Sequence, residues 1–226
     1  YRLLKEHYLN LKQQSVPVKI VYVFDNSDKP LIDMDATTLI INKPVTIYEA
    51  WNLAIAACQT KYIMNLNLDD RLNPDAISLL EQAITTTGAD LIGGDWKICY
   101  SQEQTDKVSH CIPISELNFL PSWPPIINST TRLGSGSGER GTYGPATLWK
   151  LDNHLSIPRY PYRTEDGTSI KSICDTLWWM SLERFNKKLI RVPFVIGNYH
   201  SHPESQAEFR VKDEWKLIEN KKVIFI

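Results

Sequence analysis

The chain has 226 residues, and its 25 basic and 26 acidic side chains leave a formal net charge of −1. A hydrophobic fraction of 42% and a charged fraction of 23% are typical of a soluble globular protein and exclude disordered and fibrous classes. The balanced charge gives no electrostatic argument for a nucleic-acid partner. No apolar run is long enough for a membrane span, and the four cysteines are scattered. We therefore expect a cytoplasmic protein with reduced thiols, and expect any attachment to the inner membrane face to come through regions outside this chain.

Helices and strands alternate over residues 1–100. Tyr1 lies inside the first helical pattern, so we expect the chain to be a piece of a longer protein and to lack a first strand. Val16–Phe24 is almost continuously apolar, which is typical of a strand buried on both faces of a parallel sheet. The alternation predicts a doubly wound α/β domain. The other predicted elements are a helix over residues 3–11, strands over Thr37–Ile41, Lys61–Leu68, Ala89–Ile92 and Trp96–Tyr100, and helices starting at Thr46 and at Asn73.

Local signals mark the ends of two of these helices. Thr46 and Glu49 have the spacing of a capping box, which predicts a helix start. Asn73 is a candidate N-cap because a proline follows it, and Gly88 is a candidate helix stop.

Polar side chains lie at the ends of two predicted strands. Ligands of doubly wound sheets bind beyond the carboxyl ends of the strands, so Asp25 and Asp69 are candidate ligand-binding residues. Strand alternation places Asn65, Asn67 and Asp69 on one face, and such oxygen donors suit a divalent cation that carries a diphosphate. The alternative is an Asx-rich turn in which Asp69 or Asp70 bonds backbone N–H groups.

The alternation ends near residue 101. A glycine-rich segment, Gly134–Gly141, precedes a predicted helix over Ser169–Lys187 and a predicted strand over Leu189–Ile196. The segment has no Gly-Lys-Ser/Thr of a phosphate-binding loop, and a lid and a disordered loop are equally good interpretations of it. We interpret residues 1–100 as one half of the domain and residues 101–226 as a second half that completes a cleft.

Three segments, in order, resemble family 2 glycosyltransferases, which have the GT-A fold. Asp25-Asn26-Ser27-Asp28 is similar to the family's Asp-Asp-Gly-Ser turn, Glu49–Ala57 to its helix with an Asn and a following Ala, and Tyr62–Leu72 to its Tyr-Ile…Leu-Asp-x-Asp-Asp signature. The resemblance implies an α/β, GT-A-type (Rossmann-like) fold with a mostly parallel central sheet flanked by helices. Residues 1–100 would be the nucleotide-sugar-binding half and residues 101–226 the acceptor-binding half. Asn67 departs from the family, because it replaces the first Asp of the signature with a neutral oxygen ligand.

The resemblance also implies a nucleotide sugar and a divalent cation, Mg²⁺ or Mn²⁺. The residues implied to bind the nucleotide sugar are Asp25, Asn26, Asn52, Asn67, Asp69 and Arg71. The residues implied to hold the metal are Asp69, Asn67, Asp70, His200 and His202. If the chain is extended around Ser201, the two imidazoles point the same way, and the alternative is a solvated loop after a strand.

The candidate catalytic base is Asp175. Cys174–Trp179 resembles the family's Asp-x-x-x-Trp motif, whose Asp is the usual base of inverting members. One alternative is a surface Asp175 that pairs with a nearby basic residue such as Arg184. Another is a base at Glu165 or Asp166, although a turn with helix N-terminal charges also explains that pair.

Helical geometry gives an independent argument for Asp175. On the predicted helix, this carboxylate shares one face with Trp179 and Leu182. The opposite face is an apolar stripe of Ile170, Ile173, Leu177 and Met180. A helix that is apolar on two sides is either buried all round or lines a cleft, and partial desolvation in a cleft would raise the pKa of the carboxyl and make it a better base.

Aromatic residues in the second half are candidate acceptor-binding residues. Trp123, Trp149 and Trp179 have faces that suit the C–H surface of a sugar, and core packing is the alternative account of each.

These observations predict a glycosyltransferase that moves a sugar from a nucleotide-diphosphate donor to a glycan, lipid-linked or small-molecule acceptor, as in polysaccharide biosynthesis. The reaction would be metal-assisted and inverting, with no nucleic-acid partner. A non-catalytic relative that binds a sugar nucleotide or a glycan is an alternative, because Asn67 replaces an Asp. A nucleotidyltransferase is a second alternative, and it would need a glycine-rich, basic loop after the first strand, which this chain does not contain.

Overall fold

A computed structural model of the chain describes residues 2–25, 34–117, 143–201 and 211–225. The chain divides into two compact units. The first unit comprises Tyr1–Val18, Met64–Lys150 and Lys187–His202, and the second comprises Lys19–Ile63, Leu151–Asn186 and Pro203–Ile226. Each unit contains residues from both halves of the sequence, and the functional division near residue 100 stays a prediction.

Helices and strands occur along the whole described part of the chain. The helices are α1 (Arg2–Lys12), α2 (Ile47–Ala56), α3 (Ala76–Thr87), α4 (Gln102–Thr105), α5 (Leu151–Ser156), α6 (Cys174–Arg184) and α7 (Val211–Ile218), with a 3₁₀ turn at Ile114–Glu116. The strands are β1 (Val21–Asp25), β2 (Thr37–Ile41), β3 (Tyr62–Met64), β4 (Arg71–Leu72), β5 (Leu91–Cys99), β6 (Ile112–Pro113), β7 (Leu148–Lys150), β8 (Arg163–Thr164), β9 (Leu189–His200) and β10 (Val223–Ile224). None of the helices within these ranges is both long and apolar enough to cross a membrane.

The first unit is built on a mixed sheet. Its strands follow the order β7-β5-β9-β4, and β6 pairs with β9. The two long strands, β5 and β9, are parallel, whereas β4, β6 and β7 each add two antiparallel residue pairs. β5 is buried at six consecutive positions from Leu91 to Trp96, as expected for a strand covered on both faces. The helix α3 packs against β5, β7 and β9, and α1 against β4. The predicted α/β class is confirmed.

Close backbone packing and a buried ion pair fix β9 in this sheet. A Cβ atom at Gly197 would lie 2.4 Å from the carbonyl oxygen of Arg71 and 2.6 Å from the ring of Trp96, so only glycine fits there. Arg191 of β9 pairs with Asp95 of β5, and both side chains are almost completely buried. Burial raises the pKa of the Asp95 carboxyl, and the neighbouring Arg191 guanidinium opposes that shift.

The second unit contains two small sheets and the helices α2, α5, α6 and α7. β1 and β2 are parallel, with α2 packed against β1, and β8 and β10 are antiparallel. The helix α6 is buried at Cys174, Leu177, Trp178, Trp179, Ser181 and Leu182. The sequence left two alternatives for this helix, burial on all sides and one side lining a cleft, and burial on all sides describes most of α6.

Two predicted helix ends are confirmed. The Thr46 side chain accepts a hydrogen bond from the Glu49 backbone N–H at 3.1 Å, so α2 begins after this N-cap. Gly88 ends α3 in the left-handed conformation with φ +68°, which glycine adopts without steric cost.

Several predicted boundaries are wrong. The strands predicted at Ala89–Ile92 and Trp96–Tyr100 form one strand, β5, and the strand predicted to end at Ile196 continues to His200. The first strand begins at Val21 rather than Val16, in a segment where Pro17 has no N–H for a ladder, and the third strand covers only Tyr62–Met64 because an Asx-rich turn follows it. The helix predicted from Asn73 begins at Ala76, because the Asn73 Oδ1 that would cap it accepts from the Ser109 N–H instead, while Nδ2 donates to the Val195 carbonyl. The helix predicted from Ser169 begins at Cys174, because Glu214 binds the backbone N–H groups of Lys171 and Ser172.

Candidate functional site

Asp25 is the last residue of β1, where the sequence predicts a ligand-binding carboxylate. Its side chain is half-buried, and Oδ2 accepts a hydrogen bond from the Val45 backbone N–H at 3.1 Å. This bond fixes one oxygen of the carboxylate beside the start of α2. A role in nucleotide binding stays a prediction.

The turn after β3 contains the predicted metal-binding residues of the first unit. Asp70 is fully buried: Oδ1 accepts from the His200 backbone N–H at 3.0 Å, and Oδ2 accepts from Asn67 Nδ2 at 3.3 Å. Asp70 therefore ties the turn to the end of β9 through a bond between residues 130 positions apart, which is not the local bond of an Asx turn. Asp69 is half-buried on the same turn.

Arg71 stabilises this turn through hydrogen bonds to its backbone carbonyls. Its side chain is only 2% exposed, and Nη1 donates to the carbonyl oxygens of Leu68 at 2.8 Å and Asp70 at 2.7 Å. Nε lies 3.0 Å from Asp106 Oδ1. The guanidinium thus bonds the carbonyls on both sides of Asp69, which favours a role in shaping the turn.

Gln102 extends the same network. Its Nε2 donates to Asp106 Oδ1 at 2.8 Å and to the Asp69 carbonyl at 3.4 Å, while its Oε1 lies 2.9 Å from His200 Nδ1. His200 is the last residue of β9 and is buried, whereas its predicted partner His202 lies outside the described residues. Gln102 and Asp106 are not predicted from the sequence, because both lie in a polar stretch without a motif.

A divalent cation at this turn would need oxygen ligands. Asn67 Oδ1 is buried and has no hydrogen-bond partner among the described residues, and Asp69 supplies a carboxylate two positions later. No group of three or more His, Cys, Asp or Glu side chains in the described ranges could hold a metal. Mg²⁺ commonly takes only one or two carboxylates and fills its shell with phosphate oxygens and water. Asn67 and Asp69 offer one amide and one carboxylate oxygen at this turn, and a cation site formed by them stays a prediction.

Asp175 lies in the first turn of α6, not in mid-helix as predicted. Its side chain is half-buried, and burial raises the pKa of the carboxyl to about 6. The hydrogen bond that Oδ1 accepts from the Thr176 backbone N–H at 2.7 Å opposes the shift. A carboxyl with this pKa can exchange a proton near neutral pH.

Two tyrosines that lie near Asp175, Tyr48 and Tyr160, belong to a cluster of aromatic rings in the second unit. Tyr48 packs edge-on against Trp51, with ring centroids 5.1 Å apart, and against Tyr160 at 5.9 Å. Tyr160 also packs on Trp178 at 4.6 Å. Tyr48 and Tyr160 are not among the site residues predicted from the sequence, because no local pattern links either residue to Asp175.

Asn52, a predicted nucleotide-sugar ligand, is buried beside these rings. Its Nδ2 donates to the Tyr160 carbonyl at 2.8 Å, and its Oδ1 accepts from the Tyr160 N–H at 3.2 Å. The amide thus binds both backbone groups of a residue 108 positions away. These bonds give Asn52 a structural role, and contact with a ligand stays a prediction.

We expect Asn52→Ala to lower the free energy of unfolding by about 2 kcal/mol, because the buried N–H and C=O of Tyr160 both lose these bonds. Urea denaturation measures the change. Asn65→Ala is the matched control: it removes one longer bond, 3.4 Å to the Pro145 carbonyl, and should cost under about 1 kcal/mol. Equal losses for the two variants would contradict the prediction.

The rival acidic pair lies on an exposed turn. Glu165 forms an ion pair with Lys222 at 2.6 Å, and Asp166 with Lys221 at 2.8 Å. Asp166 also accepts hydrogen bonds from the hydroxyl groups of Thr164 and Thr168. The hydrogen bond from Lys221, followed by those from the two threonines, lowers the pKa of Asp166, which does not favour a base that works near neutral pH.

The predicted acceptor-binding tryptophans are buried where they are described. Trp149 is 0% exposed in β7, and Trp179 is 3% exposed in α6. Core packing accounts for both positions, and acceptor binding stays a prediction. Asn26, Trp123, His202 and the glycine-rich segment Gly134–Gly141 lie outside the described residues.

Comparisons with known proteins identify relatives of the chain. The family model described as Glycosyl transferase family 2 matches residues 3–150, and no curated protein matches. A crystal structure of S. aureus TarS 1-349 is similar, with a TM-score of 0.59 and 14% identity over 90% of this chain and 58% of that chain. The same fragment in complex with UDP has a TM-score of 0.58 and 13% identity over 89% of this chain and 57% of that chain. In complex with UDP-GlcNAc it has a TM-score of 0.55 and 10% identity over 88% of this chain and 55% of that chain.

The chain spans less than two thirds of the length of these TarS structures. At such low identity the likeness supports the fold, and it confirms the GT-A-type α/β fold predicted from the sequence. The family model covers more than half of the chain, including α2 and the turn at Asn67–Asp70, which carry the motifs quoted above. The chain belongs to glycosyl transferase family 2.

Proposed function

We propose that the chain transfers a sugar from a nucleoside-diphosphate donor to an acceptor hydroxyl with inversion at the anomeric carbon. Family membership supports the reaction class. The observation that carries the mechanism is the half-buried Asp175 carboxyl, whose pKa burial raises to about 6. A base with this pKa is mostly ionised at pH 7 and is still basic enough to accept a proton in the transition state.

Asp175 accepts the proton of the acceptor hydroxyl while that oxygen attacks the anomeric carbon. The new bond is carbon to acceptor oxygen, and the bond that breaks is carbon to diphosphate oxygen. The nucleoside diphosphate leaves with the electron pair of the broken bond. Attack opposite to the leaving group gives inversion.

On the donor side, Asp25 bonds the nucleobase or ribose, and Asn67 and Asp69 would hold Mg²⁺ or Mn²⁺. The cation, when bound, offsets the charge of the leaving diphosphate. Asp70 and Arg71 hold the turn that carries Asp69, as their hydrogen bonds suggest. Asn26, His200 and His202 remain candidate ligands, as do Trp123, Trp149 and Trp179 for a sugar-bearing or other hydroxyl acceptor.

A specific observation also favours a non-catalytic relative that binds a sugar nucleotide. The first signature position is Asn67, and the last signature carboxylate, Asp70, is bonded within the fold. Such a relative would bind a nucleotide with little metal dependence and release no nucleoside diphosphate. A nucleotidyltransferase would instead release pyrophosphate.

We expect one of UDP, GDP, CDP and dTDP to raise the melting temperature by a few degrees, and to do so only with Mn²⁺. UDP is the first choice, because TarS has been crystallised with UDP and UDP-GlcNAc. A ligand at 100 times its dissociation constant adds about 2.7 kcal/mol of stability. A thermal-shift panel with and without Mn²⁺ measures this effect.

The matching nucleotide sugar and a hydroxyl acceptor then test turnover. Release of nucleoside diphosphate together with a glycosylated product supports the transferase. A nucleotide shift without metal and without product would support the non-catalytic relative, and no shift with any nucleotide would contradict a nucleotide site in this chain.

A further inference from the structure

The short helix α4 is anchored beside the end of β9. Asn198 of β9 is buried, and its Nδ2 donates to the carbonyl oxygens of Thr105 at 2.9 Å and of Lys107 at 3.0 Å. The Thr105 side chain is itself buried, and its hydroxyl donates to the Ser101 carbonyl at 3.0 Å. These bonds fix the C-terminal end of α4 on β9. Gln102, one turn earlier, therefore lies on a backbone whose position is fixed.

The partners of the Gln102 amide decide which way it points. Its Nε2 donates to the Asp106 carboxylate, which also pairs with Arg71, and to the Asp69 carbonyl. An ionised carboxylate and a carbonyl can only accept, so these two bonds use both hydrogens of the amide nitrogen. Oε1 is then the atom that lies 2.9 Å from His200 Nδ1. Because an amide oxygen cannot donate, the proton between these two atoms belongs to the histidine ring.

This hydrogen bond fixes the chemical form of the His200 ring. A neutral imidazole carries one proton, so a proton on Nδ1 leaves the lone pair on Nε2. Histidines that bind a ligand generally donate from the other ring nitrogen to an oxygen of the protein, which orients the ring. Gln102 Oε1 is such an oxygen, while the His200 backbone N–H bonds Asp70 at 3.0 Å. Both the ring and the backbone of His200 are thus tied to residues that hold the turn at Asp69.

We propose that Gln102 is a positioning residue for donor binding: its amide links His200 to the turn that carries Asp69 and holds the His200 ring as the Nδ1–H tautomer. This inference rests on the proposed function, in which Asp69 and His200 are candidate ligands on the donor side. Gln102 acts through these two residues rather than on the substrate. A merely structural Gln102 would change stability and leave the tautomer of His200 unchanged.

The test is Gln102→Met, which keeps the length of the side chain and removes its amide. In the protein without ligand, the ¹⁵N shifts of the His200 ring report its tautomer at pH 9, well above the ordinary histidine pKa of about 6.5. Their loss in His200→Asn assigns these resonances. Without Oε1 as acceptor, the ring should change from mainly Nδ1–H to mainly Nε2–H, the tautomer that a solvated histidine favours. The affinity for UDP with Mn²⁺, measured by isothermal titration, should fall by about tenfold.

Two further variants separate the bonds of this amide from a general effect on α4. Gln104→Met is the matched control, because Gln104 is exposed on the same helix and its Oε1 accepts from the Tyr100 N–H. It should change neither the tautomer of His200 nor the affinity for UDP. Gln102→Glu keeps an oxygen that accepts from Nδ1–H, so the ring should stay in the Nδ1–H form. A change to Nε2–H in this variant would contradict the role of Oε1 as the acceptor.

The possible outcomes separate this inference from the proposed function. An unchanged tautomer in folded Gln102→Met overturns the inference even if the wild type binds UDP and transfers sugar. A changed tautomer with unchanged affinity for UDP also overturns it, because the amide would then not serve the donor. If the wild type binds no nucleotide, the proposed function fails and the positioning role fails with it. If Gln102→Met does not fold, Gln102→Asn, whose amide is one methylene too short to reach, replaces it with the same two readouts.

Discussion

Asp175→Asn is expected to lower kcat for sugar transfer by about 10²- to 10⁴-fold while the protein stays folded, because general-base catalysis contributes about that much. The amide cannot accept a proton from the acceptor hydroxyl. Its oxygen can still accept the hydrogen bond from the Thr176 backbone N–H, so the start of α6 keeps this partner. Steady-state kinetics with a saturating donor measures the loss.

The pH dependence of the wild-type reaction follows from the same carboxyl. A base must be ionised to act, so kcat/KM should fall below the pKa of about 6 and reach a plateau above it. Below the midpoint, each further pH unit should cost about tenfold in rate. An acid limb near pH 4, the ordinary range of an aspartate, would contradict the desolvated position of Asp175.

Stability should change in the opposite direction to activity. The pKa of Asp175 is raised from 3.8 to about 6 on folding, so the folded state binds the proton more tightly than the unfolded state. The resulting stability is fully present below pH 4 and is lost as the pH rises through 6. Asp175→Asn removes this charge, and because the site is only half-buried we expect the variant to be about 1–2 kcal/mol more stable than wild type at pH 8. The difference should vanish at pH 4.

Glu165→Gln is the matched control for both readouts. It also converts a carboxylate into an amide in the second unit, but Glu165 is exposed and paired with Lys222. We expect full transfer activity and a stability change within about 0.5 kcal/mol. If Glu165→Gln lost transfer while Asp175→Asn retained it, the base would be assigned to the exposed turn instead.

The sequence predicts features that depend on neighbouring residues. Thr46 caps α2 and Gly88 ends α3 as predicted, because the N-cap bond and the left-handed glycine form within one helical turn. β5 and β9 lie in segments with predicted strand character, but the sequence predicts two strands in place of β5 and does not predict that β5 pairs with β9. The family motifs can be recognised from the sequence because each of them lies within one short continuous segment.

Long-range side-chain contacts are not encoded in any local pattern. Asn52 was assigned to a ligand by resemblance, whereas its amide binds the backbone of Tyr160, 108 residues away. Glu214 starts α6 later than its periodicity predicts, because it takes the N–H groups of Lys171 and Ser172 from 43 and 42 residues away. Such contacts decide which polar residues serve the fold and which remain for a ligand.

Arg71→Met is expected to lower the free energy of unfolding by about 3 kcal/mol, because it removes one partner of a buried ion pair. Arg71 is 2% exposed, and its loss leaves the carbonyls of Leu68 and Asp70 without the bonds it donates. Asp106 is 26% exposed and keeps its hydrogen bond from Gln102, which limits the cost. Urea denaturation at pH 7 measures the change.

The chain contains a control with the same partner. Arg2 also approaches Asp106, at 3.9 Å, but its side chain is 77% exposed. Arg2→Met should therefore change stability by less than about 0.5 kcal/mol. Similar losses for the two variants would show that the attraction to Asp106, and not the burial of Arg71 under the turn, sets the energy.

Arg71→Lys separates charge from geometry. Lysine keeps the positive charge, but it cannot donate in a fork to two carbonyls and a carboxylate at once. Since those carbonyls flank Asp69, we expect the Mn²⁺-dependent affinity for the nucleotide to fall by about tenfold, roughly the value of one hydrogen bond to a charged group. Isothermal titration below the melting temperature measures it. Unchanged affinity in a folded Arg71→Lys would show that nucleotide binding does not depend on the support that Arg71 gives to this turn.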